Sequence, residues 1–168
     1  MRNKPVLLAV SGVKNSGKTT LIERLLPLLG EKGIKTAVIK HDGHSFTPDT
    51  EGTDSRRFFA AGAFGTAVFD GEKFSLSKRA AVTETDLTCM FPEAELILLE
   101  GFKESRYPKI ELVRKGVSEV FVTAPETCLA YVSELELETE KPVFNPKDIG
   151  AIAAFVASFA EGGGINAG

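Results

Sequence analysis

The chain is poor in cysteine, in long apolar runs and in excess positive charge, and each shortage removes a class of function. Cys89 and Cys128 are the two cysteines among 168 residues, too few and too far apart for a disulfide framework or a cysteine-based zinc site. The longest apolar stretches are Val6–Val10, Leu96–Leu99 and the interrupted run Ile149–Ala160. All fall short of the roughly 18 residues that a membrane-spanning helix needs. Met1–Lys4 is polar and the apolar run behind it is brief, so no secretory signal is expected. Lys and Arg number 20 against 23 Asp and Glu, for a net charge of −3. That balance argues against a dedicated nucleic-acid binder, which is normally basic. The 43% hydrophobic and 26% charged content is ordinary for a globular protein, and at about 150 residues per domain the length suits one domain. The expectation is a single cytoplasmic domain over residues 1–161 and a disordered glycine-rich tail, Gly162–Gly168.

The pattern alternates strand and helix. Pro5–Ser11 has the β-branched and leucine-rich content of a buried parallel strand. Lys18–Leu29 repeats apolar residues at Leu21, Ile22, Leu25, Leu28 and Leu29, a helical period, with Pro27 predicting a kink and Gly30 and Gly33 an end. Lys35–His41 reads as a strand and Asp42–Thr53 as a long loop, the kind that is usually functional or mobile. Asp54–Ala61 reads as a short helix burying Phe58 and Phe59, with Phe64 also assigned to the core. Gly65–Phe69 and Lys73–Ser77 flank a hairpin turn, and a capping box at Thr83 predicts a helix over Glu84–Phe91 with Cys89 on its buried face. Ala94–Glu100, Lys109–Val113, Val117–Thr123 and Leu129–Ser133 are further strands. Asn145 is the expected cap of a final helix that carries Ile149, Ile152, Ala153, Val156 and Phe159. The fold class is α/β: a mostly parallel sheet flanked by helices, with some antiparallel strands.

Gly12-Val13-Lys14-Asn15-Ser16-Gly17-Lys18-Thr19 matches G-x-x-x-x-G-K-S/T in full, between the first strand and the first helix. This is the signature of a P-loop NTPase fold. The glycines let successive N–H groups turn inward as an anion nest, and the helix dipole adds positive potential at the same spot. Lys18 is expected at the β- and γ-phosphates, Thr19 on Mg²⁺ and Thr20 near the α-phosphate. An acidic partner for the metal belongs at the end of a neighbouring strand, where Glu100 stands. It would serve by direct ligation, through a water, or by activating one, unless it is simply a solvated strand-end carboxylate. Asp54 is a second candidate, with capping of its helix as the alternative. Guanine specificity through an N/T-K-x-D segment is not available, because no such tetrapeptide occurs. The nearest base-binding loop in sequence terms is Thr123–Glu126.

Several segments occur together in order: Gly12–Thr20, Ile39-Lys40-His41 with His44, and Asp49-x-x-Gly52-x-Asp54-Ser55-x-Arg57. Ala61-Gly62-Ala63, Leu99-Glu100-Gly101-Phe102-Lys103 and Pro108-Lys109-Ile110 follow, and the helix at Asp148-Ile149 fits as well. This set resembles the molybdopterin-guanine dinucleotide biosynthesis protein B (MobB) family. The resemblance implies a usually dimeric, GTP-binding and weakly GTP-hydrolysing protein that assists the guanylyltransferase joining GMP to molybdopterin. It implies GTP and Mg²⁺ as cofactors, with molybdopterin as a further candidate. The family's loop residues carry over to Gly12, Ser16, Gly17, Lys18, Thr19 and Thr20, with Lys14 and Asn15 inside the same loop. Asp54 and Glu100 carry over as the Mg²⁺-side carboxylates, and with Lys18 they form the expected catalytic group. Some dimeric relatives of P-loop proteins carry a lysine directly after the first glycine; here Val13 holds that position and Lys14 follows. No Gln or Arg is placed by these motifs to orient a water, so hydrolysis should be slow. The alternatives are a small-molecule kinase, disfavoured because Thr83–Phe91 has no arginine for a lid, and a non-hydrolysing nucleotide-dependent adapter.

Four further groups have both functional and structural readings. His41 and His44 suit ligand contact or loop hydrogen bonding. Arg56 and Arg57 suit a phosphate clamp or a solvated helix face. Lys103, Arg106 and Lys109 form a basic stretch that meets either an anionic cofactor or solvent. Cys89 and Cys128 default to small hydrophobes.

Overall fold

Strand β1, Val6–Ser11, is the element around which the chain is ordered. A computed structural model describes residues 4–42 and 50–163. Along the chain follow α1 (Lys18–Glu31), β2 (Thr36–Lys40), α2 (Asp54–Ala60), β3 (Gly65–Phe69), β4 (Phe74–Lys78) and α3 (Glu84–Thr88). They are succeeded by β5 (Leu96–Glu100), β6 (Lys109–Leu112), β7 (Cys128–Val132), β8 (Val143–Phe144) and α4 (Ile149–Glu161). The chain divides into two units, one formed by residues 1–41 with 84–168 and the other by residues 42–83.

In the first unit six strands run in the order β2-β5-β1-β6-β7-β8, every neighbouring pair parallel. Parallel strands end on one edge, so the segments leaving β1, β2, β5 and β6 converge. The register pairs Val10 with Glu100, Lys40 with Glu100 and Ser11 with Glu111. Alternation along β1 splits the core between the two faces. Leu8 and Val10 pack with α1 and α4 on one, and Ala9 packs with Ile39, Ile97 and Leu99 on the other.

Helix α1 continues through Pro27 to Glu31, past the expected end at Leu29. It buries Leu21, Ile22, Leu25 and Leu29, each worth about 1.5–3 kcal/mol, which together exceed the ~3 kcal/mol cost of an interior proline. Pro27 itself lies on the exposed face. The cap of α4 is Asp148, whose carboxylate accepts from Ala151 N at 3.1 Å. Asn145, the expected cap, instead accepts from Lys147 N at 2.9 Å in the turn ahead. Val117–Thr123 is not a strand: Val117 N and Ser118 N turn back onto the Arg114 carbonyl, Ser118 bridges Arg114, and a buried side chain holds Val122 and Thr123. Glu111 accepts from Val122 N at 2.6 Å and from the N–H and hydroxyl of Thr123. Helix α3 stops at Thr88, which leaves Cys89 exposed, whereas Cys128 is buried as expected.

The second unit contains α2 and the antiparallel hairpin β3–β4, so the antiparallel component is a separate small sheet. Asp70 closes the hairpin turn by accepting from Glu72 N and Lys73 N at 2.8 and 2.9 Å. Those bonds hold its carboxyl below the ordinary value. The core assignment of Phe58 and Phe64 fails: they are 63% and 66% exposed. A seven-residue helix and two strands offer too little surface to cover them. Phe59 is half-buried beneath the Arg79 guanidinium, 4.2 Å from the ring centroid. The long loop expected over Asp42–Thr53 and the tail Gly162–Gly168 lie largely outside the described residues.

Candidate functional site

The turn from β1 into α1 is built from backbone conformations that glycine permits. Gly12 and Gly17 have φ of 139° and 100°, and Asn15, at 64°, adds a left-handed residue between them. A Cβ on Gly12 would stand 2.7 Å from both the Leu112 carbonyl and Ser16 Oγ, so the loop closes against the end of β6 only without a side chain there. Ser16 Oγ is buried and has no hydrogen-bond partner among the described residues. A buried hydroxyl without a partner, in a turn closed by glycines and next to a lysine, fits the oxygens of an anion such as phosphate.

Lys18 opens α1, and its ammonium donates to the carbonyls of Gly12 at 3.1 Å and Val13 at 2.6 Å. Burial lowers its pKa, the Glu100 carboxylate opposes that, and the Lys40 charge adds to it. Thr19 Oγ1 donates to Glu100 Oε1 at 2.8 Å, and Lys40 Nζ stands 3.4 Å from the same oxygen. A hydroxyl and a nearly buried carboxylate meeting beside an anion nest fit a hard divalent cation with oxygen ligands. Beyond Glu100 the chain turns through Gly101 and Phe102, both left-handed at φ 101° and 51°. The Gly101 carbonyl is held by the Ser11 hydroxyl. Lys14 and Asn15 are exposed on the outer side of the loop, and Thr20 lines the cleft beside it.

The sequence profile of the family "Molybdopterin guanine dinucleotide synthesis protein B" matches residues 7–134. The chain belongs to the MobB family. A molybdopterin-guanine dinucleotide biosynthesis adapter protein of Haemophilus influenzae is 32% identical over 95% of this chain and 92% of its own length. A probable adapter protein of the same name from Bacillus subtilis is 35% identical over 84% of this chain and 86% of its own. The crystal structure of Bacillus subtilis MobB superimposes with a TM-score of 0.76 at 33% identity, covering 91% of this chain and 96% of that one.

Within this MobB chain, Lys18 folds back onto the Gly12 carbonyl while its neighbour Thr19 meets Glu100. Asp54 begins α2 in the second unit, where its carboxylate pairs with Arg57 at 3.2 Å. Arg56 pairs with Glu51 at 3.3 Å, so each arginine of the suggested clamp has a carboxylate partner. His41 packs its ring on Phe102, centroids 5.8 Å apart, while His44 lies outside the described residues. The basic stretch is not continuous. Lys109 is fully buried and donates to the Ser105 carbonyl at 2.6 Å and Thr127 Oγ1 at 3.1 Å. Its pKa is lowered by that burial, against the pull of Cys128, Glu104, Glu111 and Glu126. It ties down the segment after Glu100 and meets no ligand from solvent.

Two features escaped the sequence reading. Lys40 reaches Glu100 because β2 and β5 are neighbours in register, which no linear spacing reveals. Arg114 follows β6, and its Nη1 stands 3.7 Å from where a Gly17 Cβ would be. The usable signal was its place just past a parallel strand, on the edge where ligands gather. Thr123–Glu126, named as the nearest base-binding loop, instead leads into the start of β7, where Thr127 O accepts from Lys109 N at 2.9 Å. That is the opposite end of the strands from the turn that leads from β1 into α1.

Proposed function

We propose that this protein is a GTP- and Mg²⁺-binding adapter of molybdopterin-guanine dinucleotide biosynthesis that hydrolyses GTP slowly and assists the guanylyltransferase of that route. The observation that carries the reading is the convergence of Lys18, Thr19 and Glu100 on one edge of the sheet, in a chain whose family is MobB. Lys18 and the loop amides would hold the β- and γ-phosphates, and Thr19 and Glu100 would hold Mg²⁺ directly or through water. Asp54, the other carboxylate that the resemblance offers to Mg²⁺, stands in the second unit paired with Arg57. Molybdopterin is a further ligand of the same assembly. The name of the Haemophilus relative supports the adapter role. Among the described residues no helix is long and apolar enough to cross a membrane.

A homodimer is part of the proposal. Phe69 and Phe74, 80% and 77% exposed, stand with Val68 and Leu76 on the β3–β4 hairpin. An apolar group of this size on a two-stranded sheet favours burial against another surface.

Competition titration of GTP and ATP with Mg²⁺, with and without the guanylyltransferase, tests the reading. Tighter GTP binding that responds to the transferase is expected. ATP binding as tight as GTP binding would overturn the guanine preference.

A further inference from the structure

A cleft of about 240 Å³ opens beside the phosphate loop, between α1, the ends of β6 and β7, and the turn from β8 into α4. Gly17 belongs to both loop and cleft; Leu21, Leu112, Val132 and Pro146 are apolar walls. The position follows from topology: β1 is where the strand order reverses, and ligands of open parallel sheets sit beyond the strand ends at such a point. We propose that this cleft receives the purine base of the nucleotide and that the Glu134 carboxylate, just beyond β7, reads the guanine edge. The inference rests on the GTP reading above and supplies the specificity element that the missing N/T-K-x-D segment leaves open.

The charges of the lining carry the argument. Arg24, Arg114 and Lys147 are its cations and Glu134 its one acidic side chain. Arg24 Nη1 donates to the Pro146 carbonyl at 2.9 Å, which fastens α1 to the opposite wall. Arg114 lies against Gly17, on the phosphate side. Neither pairs with Glu134, whose carboxylate has no ion-pair partner among the described residues. A lone carboxylate next to a polyphosphate site is repelled by the phosphates, so its chemical use is to accept from a neutral donor. Guanine presents two donors side by side, N1–H and the N2 amine, which match the two carboxylate oxygens. Adenine presents a lone pair at N1, which faces a carboxylate unfavourably. Discrimination by an unmatched polar group in a site built for hydrogen bonding is large.

The test titrates GTP, ITP, XTP and ATP with Mg²⁺ into the full chain and into Glu134→Gln and Glu134→Ala. Glu134 is exposed, so both variants should keep the fold, as checked by circular dichroism. The expected wild-type order is GTP, then ITP, which lacks the N2 amine, then ATP. Glu134→Gln should weaken GTP by about 10-fold or more and tighten XTP, because the amide donates to xanthine O2 and accepts from N1–H. Glu134→Ala should lose the preference among purines while retaining Mg²⁺-dependent phosphate binding. If the wild-type preference for GTP persists in both variants, this inference fails alone. If wild-type protein binds no triphosphate, or ATP as well as GTP, the GTP reading falls and this inference with it.

Discussion

Thr19 Oγ1 donates to Glu100 Oε1 at 2.8 Å across 81 positions of sequence, joining the start of α1 to the end of β5. Lys40 leans on the same carboxylate oxygen from β2. The group expected to receive a metal is therefore held in place by a hydroxyl and a cation before any ligand arrives. Its position is thus fixed in advance, whereas a cation seated on Oε1 has to displace the Lys40 ammonium.

The Thr19–Glu100 pair should act as a unit. Thr19→Val and Glu100→Gln are each expected to remove most of the Mg²⁺-dependent gain in nucleotide affinity, with the double variant adding little. Titrations with and without Mg²⁺ on all four proteins measure the coupling. Additive losses would separate the two residues.

Lys18→Ala should weaken nucleotide binding by roughly 10- to 150-fold for each charge-assisted bond lost. A fluorescent GTP analogue reads the affinity, and an unchanged thermal midpoint would show that the loss is local.

Burial lowers the Lys18 pKa, so its ammonium loses its proton at a lower pH than the ordinary 10.5. A bound phosphate favours the charged form and restores the proton. Affinity should therefore decline as pH rises through the lowered value, short of 10.5, and binding there should be accompanied by proton uptake. Calorimetry in two buffers of different ionisation enthalpy checks the sign; proton release would contradict it.

Gly12→Ala should cost more than Gly33→Ala, although both glycines have positive φ. At Gly33 an added Cβ meets nothing within 4 Å, so the cost is the backbone strain, about 1–2 kcal/mol. At Gly12 the Cβ meets the Leu112 carbonyl and Ser16 Oγ at 2.7 Å, so the loop must shift as well. Loss of nucleotide binding in Gly12→Ala alone is the expected outcome.

Glu111→Ala leaves Val122 N, Thr123 N and the Thr123 hydroxyl without their shared acceptor. It should destabilise the protein by about 3 kcal/mol, read from the urea midpoint, and Glu111→Gln by less. Equal stability of Glu111→Ala and wild type would show that the segment after Arg114 finds other partners.

The legible parts of this protein were those in which neighbours along the chain do the work. The turn from β1 into α1 needs glycine at Gly12 and Gly17 and is followed at once by a lysine that opens the helix, all within eight residues. The hairpin at Asp70 is equally local, because one carboxylate takes two nearby N–H groups. The buried strands β1 and β5 announce themselves as continuous apolar runs, since parallel strands are covered on both faces. Where an element's partner lies far along the chain, the local pattern misleads. Val117–Thr123 has strand composition, yet a buried Glu111 takes up its donors; Phe58 looks like core, yet α2 has too little around it.

By itself, then, the sequence determined the glycine-bearing turn from β1 into α1, the α/β class and the family, because each is encoded in short, ordered motifs. Tertiary structure alone decided which groups surround that turn. Pairing of β1 with β5 and β6 brings Glu100 and Arg114 to it, and pairing of β2 with β5 brings Lys40. The same topology turns Thr123–Glu126 away and carries Glu134 to the cleft. The physical reason is that parallel strands place their ends on one edge whatever their separation in sequence, and strand order is set by how the buried faces pack.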